Sequence, residues 1–292
     1  MARRAWSRSR SCSARLGRRR AIVSTDEAHP EARLRALDKE NRLLARKLAR
    51  LDSNVRQMEE MQDATSRLLS GLTRELEEER ARSHALLLNI LPQQIIDRLG
   101  AGERVIADRY AEVTVLFSDL VGFTETSSQM DPHRLVSELN TLFSRFDSLC
   151  ERTGVEKIKT IGDAYMAVGG LPGTRSDHVA AIAELALGMV GAVGDAGEYG
   201  RPWRIRIGIH SGPAVAGVIG TRKFVYDVWG DTVNVASRLE ASAEPNRIHV
   251  SQVVADALRG SFDLESRGTI ELKGKGLIKS YFLIASRGAV TG

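Results

Sequence analysis

The sequence predicts an α/β (α+β) fold in which a helix-covered sheet follows a long N-terminal helix. Two observations predict this architecture. Apolar residues recur at heptad spacing from Leu34 to Ile90, a period typical of a coiled coil. Beyond Val105, short apolar runs with strand character alternate with segments of helical periodicity. Such alternation favours helices packed against a sheet.

The first element, residues 1–30, is predicted to be a basic, disordered tail. Residues 1–20 contain eight arginines and no acidic residue, so a net charge of +5 for the whole chain leaves −3 for the remainder. Nucleic acid, an anionic membrane or an organelle import system could each recognise such a segment. A solvated tail is the simplest interpretation.

The second element, residues 31–91, is predicted to be a coiled-coil signalling helix. The a and d positions begin at Leu34 and Leu37, and twelve of the seventeen hold Leu, Ile, Val or Met. Asn41 at an a position favours a parallel dimer in register, whereas Gly71 and polar residues weaken the second half of the seam. A helix packed on its own domain is the alternative, but this helix would outrun such a domain.

Pro92 ends or kinks this helix, and residues 92–104 are predicted to form a short linker helix that stops at Gly100 and Gly102. A globular domain is expected over residues 105–287. Its predicted strands are 113–118, 155–161, 164–169, 203–210, 214–219 and 224–229, and its predicted helices are 132–150, 176–193 and 231–242.

The composition limits the class of protein. No run approaches the roughly 20 apolar residues that cross a bilayer, and the N-terminus lacks the apolar stretch of a secretory signal. A cytoplasmic protein is expected, with membrane association left open. Cys12 and Cys150 have no metal-ligand neighbours, so neither a disulfide framework nor a zinc site is expected. His210 and Ser211 are adjacent but lack the third partner of a hydrolase, which predicts a structural histidine.

Two aspartates lie where strands end and side chains can meet a ligand. Asp119 follows VTVLFS, and the next residues form a polar turn whose backbone N–H groups could face phosphate oxygens. Asp163 lies in a predicted tight hairpin. Two hard oxygen ligands favour magnesium or manganese. Taken singly, either aspartate is more often a turn or capping residue. The backbone groups assigned to phosphate are those of Gly122, Phe123 and Thr124.

These motifs resemble those of the class III adenylyl and guanylyl cyclases. SDLVGFT, KTIGDAY and WGDTVNVASRLE occur in that family's order, and the likeness runs from about Leu86 to Phe282. The resemblance implies a ferredoxin-like βαββαβ catalytic domain with additions. It also implies a site for two divalent metal ions, Mg or Mn, at Asp119, Leu120 and Asp163.

The resemblance implies attack of the ribose 3′-hydroxyl of a nucleoside triphosphate on its own α-phosphorus, with release of pyrophosphate. Two metals would assist this in-line reaction. Asn234 and Arg238, four residues apart on one helical face, would orient the ribose and stabilise the α-phosphate. Lys273 or Lys275 in the ELKGKG run would supply a cation to the terminal phosphates.

Lys159 and Asp227 stand at the two positions that the resemblance assigns to base selection. Guanylyl cyclases typically have Glu at the first and Cys or another small residue at the second. Adenine offers an acceptor at N1 and a donor at N6, so a lysine donor and an aspartate acceptor predict ATP as the substrate.

Because the whole set of residues occurs in one chain, the resemblance implies a homodimer with shared active sites, joined through the coiled coil and the catalytic domains. The predicted enzyme is an adenylyl cyclase. The alternatives are a guanylyl cyclase, a catalytically silent nucleotide-sensing dimer and a basic-zipper protein, which Pro30 disfavours by interrupting any continuous basic helix. No nucleic-acid partner is expected, and an upstream sensor or membrane segment is left open.

Overall fold

The computed structural model describes residues 30–195, 203–220 and 223–288, which fall into two units that divide between Glu79 and Arg80. The predicted basic tail and Cys12 lie outside the described residues, apart from Pro30. No helix in the described part of the chain has both the length and the apolar character needed to cross a membrane.

Helix α1 (Pro30–Leu88) covers most of the predicted coiled-coil segment. None of its residues is buried. Its heptad leucines are therefore exposed, with Leu34 at 72% and Leu51 at 59% of their full accessible surface. A long helix with an apolar seam is thus present, and the pairing of that seam with a second chain stays a prediction.

Helix α2 (Gln93–Gly100) lies within the segment 92–104 and follows directly after Pro92, while the role of that segment as a linker stays a prediction. Ile95 on this helix is fully buried. The guanidinium of Arg98 pairs with Glu103 at 2.7 Å and also with Asp108. Because Asp108 belongs to the first strand, these ion pairs hold α2 against the sheet.

One mixed sheet organises the domain. Its strands are β1 (Ala107–Leu120), β2 (Glu156–Ile161), β3 (Ala164–Gly169), β4 (Ile205–Ile219), β5 (Val225–Trp229), β6 (Arg247–Ser251), β7 (Phe262–Leu272) and β8 (Gly276–Ser286). They follow the order β2-β3-β1-β4-β6-β8-β7, and β5 pairs with β4 beside this path. Among these described strands, β4 and β6 run parallel and the other pairs are antiparallel.

Helices bury both faces of the sheet. Val113 and Val115 of β1 belong to one apolar cluster and Leu116 to the other, as expected for side chains that alternate between two faces. Asp131 caps the helix that begins at Pro132 by accepting hydrogen bonds from two backbone N–H groups. These helices are α3 (Phe123–Ser127), α4 (Pro132–Thr153), α5 (His178–Asp195), α6 (Asp231–Ala241) and α7 (Gln252–Leu258).

The predicted division of β4 into two strands is wrong. The strand is continuous from Ile205 to Ile219 and pairs with β1 along its length. Pro213 is accommodated because its neighbours Gly212 and Ala214 pair with Val113 and Tyr110, so that two residues of β1 bulge opposite the proline. A residue without an N–H group fits at such a bulge without loss of a ladder hydrogen bond.

The other predicted elements are present with shifted ends. β1 begins six residues before its predicted start at Val113, because an alternating, half-exposed stretch there pairs with the second half of β4. Helices α4 and α5 each extend beyond the predicted ends at 150 and 193. Strands β6, β7 and β8, with α7 between the first two, were not among the predicted strands and helices.

Glu156, the first residue of β2, gives the domain a pH-dependent stability. Burial raises the pKa of this carboxyl to about 7, above its value of 4.5 in an unfolded chain. Between these two pH values the native state binds more protons, so the free energy of unfolding should fall as the pH rises. We expect Glu156→Gln to raise the free energy of unfolding by on the order of 1 to 3 kcal/mol at pH 8. Near pH 4.5 the same substitution should change this free energy little.

Urea denaturation of both proteins at pH 5 and pH 8 measures this difference. Glu271→Gln, a change of the same chemistry at an exposed position of β7, is the matched control and should have no such effect. A stabilisation by Glu156→Gln of equal size at both pH values would contradict the assignment.

Candidate active site

Two strand ends bring Asp119 and Asp163 together. Asp119 is the penultimate residue of β1, and Asp163 lies in the two-residue turn between β2 and β3, after Gly162 at φ 64°. Because Ser118 pairs with Tyr165 across β1 and β3, the turn lies beside the end of β1. Two carboxylates 44 positions apart in sequence thus become neighbours.

The electrostatics of this pair call for a cation. The pKa of Asp163 is raised, first by burial and then by the adjacent negative charge of Asp119, while the backbone amide of Leu120 acts in the opposite direction. Like charges held this close favour either a proton or a positive ion between them. The side chain of Leu120 is buried in the core, so Leu120 can contribute to the site only through its backbone.

Sequence reasoning missed two further members of this acidic site. Arg206 of β4 donates to the Asp119 carboxylate at 2.6 Å, and its Nε lies 3.2 Å from Oε1 of Glu240 at the C-terminal end of α6. Burial raises the pKa of Glu240 to about 7, although the adjacent charge of Arg206 acts in the opposite direction. An arginine inside the apolar run IRIGIH was the available signal, because a charge in a buried strand requires a partner.

The residues present fit divalent metal ions. The two aspartates supply hard oxygen ligands, and the guanidinium on Asp119 shows that positive charge is favoured there. Within the described ranges, no group of three or more His, Cys, Asp and Glu side chains is placed to hold a metal, so the protein ligands here would be two carboxylates. Two are enough for Mg²⁺, which typically takes one or two carboxylates and completes its coordination with substrate phosphates and water.

The turn assigned to phosphate follows directly after β1. Gly122 has φ 73°, a left-handed conformation suited to glycine, and precedes the short helix α3. Phe123 is fixed by Trp203, with ring centroids 5.8 Å apart, whereas Thr124 is exposed. The first N–H groups of any helix lack intrahelical partners, so those of this turn can donate to a ligand.

The two predicted base selectors lie in contact. Lys159 Nζ donates to Asp227 Oδ2 at 2.5 Å, which joins β2 to β5 across 68 residues of sequence. Both side chains are partly buried, with 33% of Lys159 and 14% of Asp227 exposed. The second carboxylate oxygen accepts the backbone N–H of Val228 at 2.8 Å, so the orientation of Asp227 is fixed.

Helix α6 presents Asn234 and Arg238 beside the turn between β7 and β8. Asn234 is exposed and Arg238 half-buried. A Cβ placed on Gly274 would lie 3.6 Å from a terminal nitrogen of Arg238, so the turn passes close to the guanidinium. Lys275 of the same turn forms an ion pair with Asp231, the first residue of α6. Lys273 has no such ion pair among the described residues.

The adjacent His210 and Ser211 do not form a catalytic pair. His210 Nδ1 lies 2.8 Å from the hydroxyl of Ser251, while Ser211 contacts Thr114 in the buried interior. Successive strand residues point to opposite faces, which separates the two side chains. Burial lowers the pKa of His210, which keeps the ring neutral. A structural role for His210 stays a prediction, which its contact with Ser251 supports.

Comparison with known proteins assigns a family to this arrangement. The family model described as Adenylate and Guanylate cyclase catalytic domain matches residues 105–285. An adenylate cyclase of Mycobacterium tuberculosis is 47% identical over 214 residues, which are 73% of this chain and 48% of that protein. Human atrial natriuretic peptide receptor 2 is 42% identical over 81% of this chain and 23% of its own length. The chain thus spans about half the length of the mycobacterial relative.

Solved structures agree with this similarity. The guanylate cyclase domain of RhGC from Catenaria anguillulae in complex with GTP has a TM-score of 0.60 and 36% identity, over 62% of this chain and all of that one. The adenylyl cyclase CyaB from P. aeruginosa has a TM-score of 0.58 and 28% identity, over 62% and 97%. A rhodopsin-guanylyl cyclase core with converted specificity, in complex with ATPαS, has a TM-score of 0.59 and 38% identity, over 61% and 98%. The predicted fold class is confirmed.

Proposed function

Because the chain belongs to the adenylate and guanylate cyclase catalytic domain family, we propose that it is an adenylyl cyclase that converts cytoplasmic ATP to 3′,5′-cyclic AMP and pyrophosphate. The observation that carries this choice of substrate is the contact between Lys159 and Asp227. A lysine donor and an aspartate acceptor, both partly buried, match N1 and N6 of adenine and mismatch the corresponding atoms of guanine.

Asp119, Asp163 and the backbone of Leu120 would hold the metals. Bound there, two divalent ions would acidify the ribose 3′-hydroxyl and offset the charge of the phosphates. The N–H groups of Gly122, Phe123 and Thr124 would donate to phosphate oxygens at the adjacent turn, because the turn follows Asp119 within five residues.

The transition-state contacts would come from α6 and the turn beside it. Asn234 would orient the ribose, and Arg238 would donate to the α-phosphate as its negative charge grows. Lys275 is already paired with Asp231, which favours Lys273 as the cation for the terminal phosphates. Lys275 would then hold the turn against α6, so that Lys273 and Arg238 stay close together.

The active enzyme is proposed to be a homodimer with composite sites. The strands that carry the selectors support this, because Ile161 at the end of β2 is 54% exposed and large apolar side chains of β4, β5 and their connection are exposed too. These side chains are Ile219, Phe224, Val225 and Trp229, whose exposed fractions range from 36% to 59%. Exposed apolar side chains on neighbouring strands favour a protein partner.

We further propose that residues 31–91 pair as a coiled coil, that residues 92–104 link this segment to the catalytic domain, and that residues 105–287 form that domain. The exposed heptad seam of α1 supports the pairing. A change in the packing of two such helices would alter how the catalytic half-sites face each other, which provides a route for an upstream sensor or membrane segment to regulate them.

The double variant Lys159→Glu/Asp227→Cys tests the substrate assignment. We expect the wild-type protein, supplied with equimolar ATP and GTP and Mn²⁺, to form mainly cyclic AMP. The ratio of cyclic AMP to cyclic GMP should fall by about 100-fold in the variant, because its selectors leave the polar groups of adenine without partners. Separation and quantification of both products from one reaction measures the ratio.

Lys157→Glu, which reverses a charge two residues earlier on the same strand, is the matched control. Lys157 pairs with Asp147 and not with Asp227, so this variant should keep the wild-type product ratio even if less of it is folded. Cyclic GMP as the main wild-type product would identify a guanylyl cyclase. No cyclic product from a dimeric preparation would favour a silent nucleotide sensor.

A further inference from the structure

Arg206 lies between two carboxylates, and only one of them belongs to the proposed metal site. Its terminal nitrogen donates to Asp119 at 2.6 Å, while its Nε lies 3.2 Å from Glu240. All three side chains are largely buried, with 30%, 23% and 12% of Arg206, Asp119 and Glu240 exposed. The arginine therefore has two alternative acceptors within reach of one guanidinium.

The two contacts differ in quality. The bond to Asp119 is short and well formed. Arg206 Nε and Glu240 Oε1, by contrast, are both buried and have no properly directed hydrogen bond in the described part of the chain. Buried polar atoms left in this state are costly. The guanidinium thus binds Asp119 more firmly than Glu240, and Glu240 remains beside it as a second acceptor 3.2 Å away.

The backbone at Glu240 is held against β4 by a close contact. A Cβ added to Gly208 of β4 would lie 2.1 Å from the backbone nitrogen of Glu240 and 2.4 Å from the carbonyl oxygen of Ala236. Helix α6 therefore touches β4 directly, two residues along the strand from Arg206. This contact presents Glu240 to the arginine from a rigid support.

We propose that Glu240 is a positioning residue that receives the Arg206 guanidinium when a divalent cation binds Asp119. This inference rests on the proposed metal site. In the metal-free protein Arg206 neutralises Asp119 and competes with the metal for it. Glu240 weakens that competition, because it offers the displaced arginine a buried, charge-assisted hydrogen bond in return. Glu240 is therefore expected to favour metal binding without being a ligand.

Mn²⁺ binding to the nucleotide-free protein of 292 residues tests this exchange, with free Mn²⁺ measured by electron paramagnetic resonance. We expect Glu240→Gln to raise the Kd by about 10-fold and Arg206→Met to lower it by a similar factor. In the double variant Arg206→Met/Glu240→Gln, the Kd should stay within about twofold of that of Arg206→Met, because Glu240 acts only through the arginine.

The double variant separates exchange from simple charge attraction. A negative charge at Glu240 that attracted the cation directly would raise the Kd by the same factor whether or not Arg206 is present. That result would overturn the proposal, as would Mn²⁺ binding that is unchanged in Asp119→Asn or unaffected by Glu240→Gln. Glu244→Gln, which removes an exposed charge four residues further along, is the matched control and should leave the Kd unchanged.

Cyclic nucleotide formation by the same preparations keeps this test distinct from that of the proposed function. If the expected pattern of Kd values were found without any cyclic product, the arginine exchange would stand and the proposed activity would fail. If cyclic AMP were formed but the Kd did not depend on Glu240, the activity would stand and the exchange would fail.

Discussion

Asp163→Asn is expected to lower the rate of cyclic AMP formation by at least about 100-fold while leaving the protein as stable as wild type or more so. Activity should fall because a neutral amide is a weak ligand for divalent ions. Stability should not fall, because the pKa of Asp163 is raised by burial and by the charge of Asp119. Removal of one charge from this pair relieves a repulsion that the metal-free fold carries.

Initial rates with Mn²⁺ and thermal unfolding without metal measure the two effects separately. Asp256→Asn is the matched control, since Asp256 lies on the exposed side of α7 and pairs with Arg259. It should keep full activity. Asp163→Asn that retained more than a tenth of the wild-type rate, or that lost activity only in proportion to lost folding, would count against a role in metal binding.

Gly208→Ala should destabilise the domain by about 3 kcal/mol. A methyl group at this position would lie 2.1 Å from a backbone nitrogen of α6, a distance that real Cβ atoms do not show. The obstacle is a helix backbone, so no side-chain rotation removes it. Helix α6 would have to shift away from β4, and Asn234 and Arg238 would move with it. We therefore expect a loss of activity in the fraction that still folds.

Gly191→Ala provides a control with the opposite expected sign. Gly191 lies within α5, and a Cβ there would meet no atom within 4 Å. Alanine is favoured over glycine inside a helix by about 1 kcal/mol. Urea denaturation of both variants measures the difference, and a stability of Gly208→Ala equal to wild type would refute the close contact between α6 and β4.

Local sequence patterns predicted the elements nearest the site. The β2–β3 hairpin follows from two apolar runs separated by Gly162 and Asp163, because a two-residue turn with glycine needs no long-range information. The helical pattern predicted from residue 132 onward matches the start of α4 at Pro132, where the side chain of Asp131 caps the helix. The ends of β1 were less predictable, since its first half is a half-exposed ribbon whose pairing with β4 is set by tertiary contacts.

The ion pairs of the site could not be predicted from the sequence. Arg206 and Asp119 are 87 residues apart and meet only because β1 and β4 pair in a register that places them opposite each other. Lys275 and Asp231 are 44 residues apart and meet where a hairpin reaches the start of a helix. A motif identifies a residue, but the partner that restrains it depends on the whole sheet. For that reason Glu240 and Arg206 were absent from the predicted site.

If Lys159 and Asp227 contact the base as proposed, the contact between them implies selection of the base largely by exclusion. Without a nucleotide the two side chains satisfy each other at 2.5 Å in a partly buried position. A base that enters must separate the two side chains. Only a base that offers an acceptor to Lys159 and a donor to Asp227 replaces the hydrogen bond that they lose. A base with the reverse pattern leaves both charged groups without a hydrogen-bond partner. The free-energy cost of this state grows as solvent is excluded from the site. Discrimination between bases would then depend on how completely water is excluded from Lys159 and Asp227 when the nucleotide is bound.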